Sequence, residues 1–288
     1  MFKKTAIYQK KRPGAPAWFN KWIQSPAWLA AFAGTAALCL VAYAVNALVG
    51  TVHPASTWGM GYGIAATVVL VAVLLFVARR RTMSVRGTGR SWVYLQVHVY
   101  GGALFLLLMF MHTGFGVPEG AHTWWLWVLS IWVVGTGFLG IAIQKWIPTV
   151  LSEGLSIEVH YDRVPTLVDD LRKRAEKLTD AAGVRVREYY RAHVADALEG
   201  PQPRLVYFVD VTGGVNNRTR QADYLRDILP TAERERLDEL REIHRSKLEM
   251  DAHYTLQKAL RYWLVLHVPV SIVMIALLGV HIFSVLYY

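Results

Sequence analysis

Charged and apolar positions fall into long separate blocks along this chain. Five runs, about 28 to 52, 60 to 78, 92 to 117, 123 to 144 and 262 to 287, contain no Asp, Glu, Lys or Arg. Each is near or above the roughly 20 residues that a helix needs to cross a bilayer core. The pattern predicts an all-α membrane protein, a five-span helical bundle with a mostly helical cytoplasmic insert between spans four and five. Its expected divisions are a basic N-terminus at 1–27, spans one to four within 28–146, the insert at 147–260 and the fifth span at 261–288.

The insert changes period and polarity. In "RVPTLVDDLRKRAEKL", Val164, Leu167, Val168, Leu171, Ala175 and Leu178 recur at helical spacing. The segment "LVYFVDV", 205 to 211, reads as one short strand ended by Gly213 and Gly214. After Pro230 no glycine or proline interrupts the chain before the fifth span. One long helix is therefore expected to run from the insert to His267.

Composition agrees with the pattern: 54% of residues are hydrophobic, mean hydropathy is +0.27, and 18% are charged against about 25% in soluble domains. The net charge of +10 does not point to nucleic acid, because its distribution is that of a topology signal. Lys3, Lys4, Lys10, Lys11, Arg12 and Lys21 precede the first span, and Arg79, Arg80, Arg81, Arg86 and Arg90 fill the second connection. The first and third connections, "TVHPASTWG" and "GVPEGAHTWW", have no Lys or Arg. The positive-inside rule then places the N-terminus and the insert in the cytoplasm and the C-terminus outside, in a bacterial-type inner membrane. "AYA" at 42 to 44 would suit a signal-peptide cleavage site, but the basic leader is long and the apolar run continues past it, which favours an uncleaved anchor. Trp58, Trp92, Trp124, Trp125, Trp146 and Trp263 fall near span ends, where interfacial anchors belong.

Cys39 is the only cysteine, so the chain alone builds no disulfide, Cys-ligated iron–sulfur cluster or doubly attached c-type haem. "GTGR" at 87 to 90 and the Gly213–Gly214 pair lack the strand, turn and helix context of a nucleotide fingerprint.

Histidines carry the candidate chemistry. "HVYGGALFLLLMFMH" places His98 and His112 fourteen positions apart on the third span, and "HVPVSIVMIALLGVH" repeats the separation with His267 and His281 on the fifth. Fourteen helical steps rise about 21 Å and end about 40° short of four turns, so each pair shares a face. The third and fifth spans run in the same direction. His98 and His267 thus match in depth near the cytoplasmic side, and His112 and His281 match near the outer side. A single membrane histidine is commonly a packing residue; four at equal spacing and depth suit two stacked b-type haems with two imidazoles each. Gly101, Gly102 and Gly279 lie between the ligand candidates, where a flat macrocycle needs close approach; helix packing is their other explanation. Arg90 and Arg261 stand just cytoplasmic of His98 and His267 as candidate partners for the carboxylates of the inner haem, against the alternative of plain flanking charge. No Lys or Arg lies near the outer pair, which leaves neutral donors, His122 or a partner subunit. His53 and His122 are expected in outer loops, and His160, His193, His244 and His253 as surface or domain residues of the insert.

These paired histidines resemble the transmembrane di-haem core of the ferric reductase and NADPH oxidase superfamily, and the same spacing principle is found in cytochrome b. The resemblance covers the spans and rests almost wholly on the four histidines. It implies that His98 with His267 holds the inner haem and His112 with His281 the outer. The sequence shows no counterpart of the flavin and nicotinamide domains found in many relatives, and the insert has no match there. The expected function is that of a b-type cytochrome subunit of a membrane oxidoreductase, without redox catalysis alone. It would pass electrons between a redox partner (flavin protein, iron–sulfur protein or c-type cytochrome) and a quinone or other acceptor. A proton-coupled transporter using its histidines, or a membrane anchor for a cytoplasmic partner, are the alternatives.

Overall fold

A computed structural model describes residues 9–10, 26–81, 91–154, 157–158, 160–208 and 211–287. Its long elements are helices: α1 (Pro26–Val49), α2 (Thr57–Arg81), α3 (Ser91–His112), α4 (Ala121–Gly154), α5 (Val164–Asp180), α6 (Val184–Tyr189), α7 (Val211–Ile228) and α8 (Thr231–Tyr287). Five of them, α1 to α4 and α8, are long and apolar enough to cross a membrane. Among the described residues, strand pairing is confined to β1 (Gln9–Lys10) against β2 (Ile157–Glu158), antiparallel. The chain forms two compact units, one of residues 26–143 with 263–287, the other of 144–262 with β1.

In the first unit, helix ends are set by local chemistry. Pro26 opens α1, where its fixed φ and missing N–H cost nothing. Ser56 caps α2: its Oγ accepts from the Gly59 N–H at 3.1 Å and donates to the His53 carbonyl at 2.7 Å. A Cβ on Gly59 would stand 2.0 Å from the His53 carbonyl oxygen, so only glycine lets the loop close this tightly. α3 ends in a Schellman motif. Gly114, with φ +64, donates to Met111, Phe115 N–H donates to Phe110 O at 2.7 Å, and the Phe110 and Phe115 rings stack at 6.1 Å. His112 is thereby fixed as the last residue of its helix.

The core of this unit is a stripe of Tyr62, Ala66 and Leu70 from α2 against Phe105, Leu108 and Met111 of α3, joined by Val134 and Met274. Its i, i+4, i+8 spacing on α2 is one face of a helix. Asn46 Nδ2 donates to the Tyr62 hydroxyl at 2.6 Å, a buried bond that ties α1 to α2. Outward positions such as Leu38, Leu48, Val68, Ile272 and Phe283 are exposed and apolar, which suits a lipid solvent.

In the second unit, Val164, Val168, Leu171 and Ala175 of α5 are buried with Leu237, Leu240 and Ile243 of α8, the helical face expected from the sequence. The expected strand at 205–211 does not form. Leu205–Phe208 is a 3-10 turn, Val211 already belongs to α7, and 209–210 lie outside the described residues. Polar side chains of α8 take up the backbone here instead of a partner strand. Gln202 N–H donates to Asp251 Oδ1 at 2.9 Å, and Arg204 N–H to Thr255 Oγ1 at 3.2 Å. Tyr207, 1% exposed, is driven inward by its ring. Beneath this strap, Lys247 and Asp251 form a fully buried ion pair at 2.6 Å.

His244 and His253, expected as surface or domain residues, are buried at 3% exposure each. Burial, with the nearby charges of Lys247, His193 and Arg204, pushes His244 down to about 4. It therefore stays neutral in the folded protein, while in the unfolded chain it takes up a proton below about 6.5. Stability from this group is full above pH 6.5 and is lost as pH falls toward 4, by about 3 kcal/mol. Urea unfolding of the full chain in detergent, followed by circular dichroism, is expected to show that loss; His244→Leu removes it from the same pH window.

Candidate functional site

α3 and α8 place imidazoles opposite one another at two levels. The His98 and His267 ring centroids lie 6.4 Å apart with planes at 73°, and those of His112 and His281 lie 6.3 Å apart at 75°. The pairing of first with first and last with last means that the two helices run in the same direction and in register. The sequence-derived quartet is thus brought together as two separate pairs.

Three of the four rings are held through Nδ1. His112 Nδ1 lies 2.8 Å from the Gly59 carbonyl, His98 Nδ1 3.4 Å from that of Val73, and His267 Nδ1 3.0 Å from Thr136 Oγ1. A carbonyl only accepts, so Nδ1 of His98 and His112 carries the proton. The Thr136 hydroxyl lies 2.9 Å from the Trp132 carbonyl and 3.0 Å from that of Val133. Its one proton is used there, so toward His267 it accepts. In each ring Nε2 is then the unprotonated nitrogen, the form that ligates a metal.

Glycines and one indole shape the seats. A Cβ on Gly63 would come 2.8 Å from His112 Nδ1, and one on Gly140 2.1 Å from the Trp263 ring. Trp263 lies over His267 with centroids 5.7 Å apart and planes at 24°, and its Nε1 donates to the Thr136 carbonyl at 2.7 Å. Helix α2 therefore positions the His112 side and α4 the His267 side. None of Gly59, Gly63, Thr136, Gly140 and Trp263 is marked by the histidine pattern. The signal was present as small residues four apart, Gly59/Gly63 in "GMGYG" and Thr136/Gly140 in "TGFLG", but spacing alone does not say which ring they face.

Of the other sequence candidates, Gly101 packs on α2, its Cβ position 2.8 Å from Val73 Cγ2, whereas Gly102 and Gly279 border open space. Arg261 lies in the other unit; its guanidinium is 2.7 Å from Asp162 and sits 4.0 Å over the Tyr161 ring. Arg90 lies outside the described residues. His122 is not a loop residue: α4 begins at Ala121, and the His122 ring stacks on His281 with centroids 6.2 Å apart.

Comparison with protein-family models, with curated proteins and with solved structures finds no match to this chain.

The tautomer assignment is testable. With 15N-labelled histidine, magnetic resonance of the protein without added ligand is expected to show Nδ1–H and unprotonated Nε2 for His98, His112 and His267. Thr136→Val removes one bond worth about 1 kcal/mol and shifts the His267 tautomer ratio about fivefold, leaving His112 unchanged. Gly114→Ala is expected to act on the other pair. It forces an alanine to φ +64 with its Cβ 2.4 Å from the Val52 carbonyl oxygen, lowers stability by about 1 kcal/mol or more, and moves the His112 signals without moving those of His98.

Proposed function

We propose that this chain is a di-haem b-type cytochrome that moves electrons within or across a membrane as a subunit of an oxidoreductase. One iron would be held by His98 and His267 and the other by His112 and His281. The observation that carries this reading is the repeated pair geometry. An imidazole nitrogen lies about 1.2 Å from its ring centre and a metal about 2.0–2.1 Å beyond it, so two rings on opposite sides of one ion have centres about 6.5 Å apart. Both pairs have that separation.

The donor chemistry fits as well. Ligating histidines keep the second nitrogen in a hydrogen bond that fixes the ring, as the Gly59, Val73 and Thr136 oxygens do here. Two imidazoles do not complete the shell of a bare ion, and no group of three or more His, Cys, Asp or Glu among the described residues could hold one. A haem would bring the remaining donors in its own macrocycle. When bound, a haem held by one of these histidine pairs would supply one-electron exchange.

The chain's own residues would hold the rings, fix their tautomers and keep water out with Phe105, Leu108, Met111 and Met274, all buried. The basic N-terminus and second connection support a cytoplasmic insert, with the His98/His267 pair nearer that side. Donor and acceptor, such as a flavin or iron–sulfur partner and a quinone, would then meet the two ends of the pathway.

The purified protein is expected to contain two haems per chain, both six-coordinate. His98→Ala or His267→Ala removes one, and His112→Ala or His281→Ala the other. A chain without haem when expressed with ample haem supply overturns the proposal.

A further inference from the structure

Two side-chain nitrogens of α4 are buried without a hydrogen-bond partner: Nε2 of His122 and Nε1 of Trp127. Both sit in the first two turns of α4. The His122 ring lies 23° from parallel to His281, and the Trp127 ring meets Phe110 edge-on at 6.0 Å, two residues before His112. Buried polar atoms are rarely left unpaired, and the omission is most costly where lipid excludes water. An imidazole N–H donates, so an acceptor such as a carboxylate satisfies Nε2 of His122.

The surroundings narrow that acceptor's other partners. From Thr113 to His122 the sequence carries Glu119 and no Lys or Arg. The hydroxyl of Thr113 donates to the Phe110 carbonyl at 3.1 Å, and that of Thr123 to the Glu119 carbonyl at 2.6 Å. A carboxylate beside His281 would find a side-chain donor in His122.

We infer that His122, through Nε2–H, is the hydrogen-bond seat for a carboxylate on the edge of the haem held by His112 and His281. The inference rests on the di-haem reading. His122 is a positioning residue: His112 and His281 already face one another at the separation of an axial pair, and His122 stacks on one of them. It acts on the periphery of the ring and leaves the iron to them.

The test uses the full chain in detergent, loaded either with haem or with haem whose two carboxylates are esterified. Release from each site to an apo-haemoprotein scavenger is followed by absorbance. The sites are told apart by the spectra of His98→Ala and His112→Ala. His122→Phe keeps a ring on His281 and removes the donor. It is expected to release the haem of that site about tenfold faster, the effect of losing one charge-assisted bond, while the haem of the other site is unaffected and reports an intact fold. His122→Gln restores most of the retention. With esterified haem the difference between the parent and His122→Phe disappears.

Equal release by the parent and His122→Phe overturns the inference, as does a difference that persists with esterified haem. A high-spin iron in His122→Phe also overturns it, by making His122 an axial ligand. A parent chain that binds fewer than two haems fails earlier, and overturns the di-haem reading itself.

Discussion

The hydrogen bond from His112 Nδ1–H to the Gly59 carbonyl, 2.8 Å long, shows the constraint on which the membrane-helix unit is built. An imidazole in an apolar bundle has two nitrogens to satisfy, and using one on the protein decides what the other is free to do. Much local structure converges on that bond. Ser56 caps α2, Gly59 lets the preceding loop pass close by, Gly63 leaves room for the ring, and the turn at Gly114 stops α3 at His112. His267 is held by a different device, a threonine hydroxyl and an indole, which again secures Nδ1. Two unlike solutions to one requirement suggest that the ring orientation is what matters.

Five apolar blocks made the helices legible in the sequence, and the fourteen-residue spacing made the two histidine pairs legible. Both depend on short-range arithmetic, the length of a bilayer core and the turn of a helix. The supports were not legible for the converse reason. Gly63 and Thr136 matter only because of rings far away in sequence on α3 and α8. The strand expected at 205–211 fails on the same ground: its run of β-branched and aromatic residues was real, but Asp251 and Thr255, about fifty residues on, take its neighbouring backbone N–H groups. His122 was misplaced by two residues of helix start, enough to move it from a loop to a ring stacked on His281.

The polar unit follows another economy. Its core is ordinary helix packing, yet α8 carries a fully buried Lys247–Asp251 pair under the 196–208 strap. Such a pair adds little net stability, but breaking it by removing one partner strands a charge. The strap's docking and the pair are therefore interdependent, since Asp251 serves both.

Electron paramagnetic resonance of the oxidised protein tests the central claim most directly, because it reads ligand type and ring orientation together. The paired rings stand at 73° and 75°; if each pair holds a haem iron, such nearly perpendicular imidazoles would bring the iron dπ orbitals near degeneracy and make the low-spin signal strongly anisotropic. The account predicts two such low-spin ferric signals, one lost on replacing His267 and the other on replacing His281. A high-spin ferric signal from the intact chain, or no haem signal at all, would contradict it.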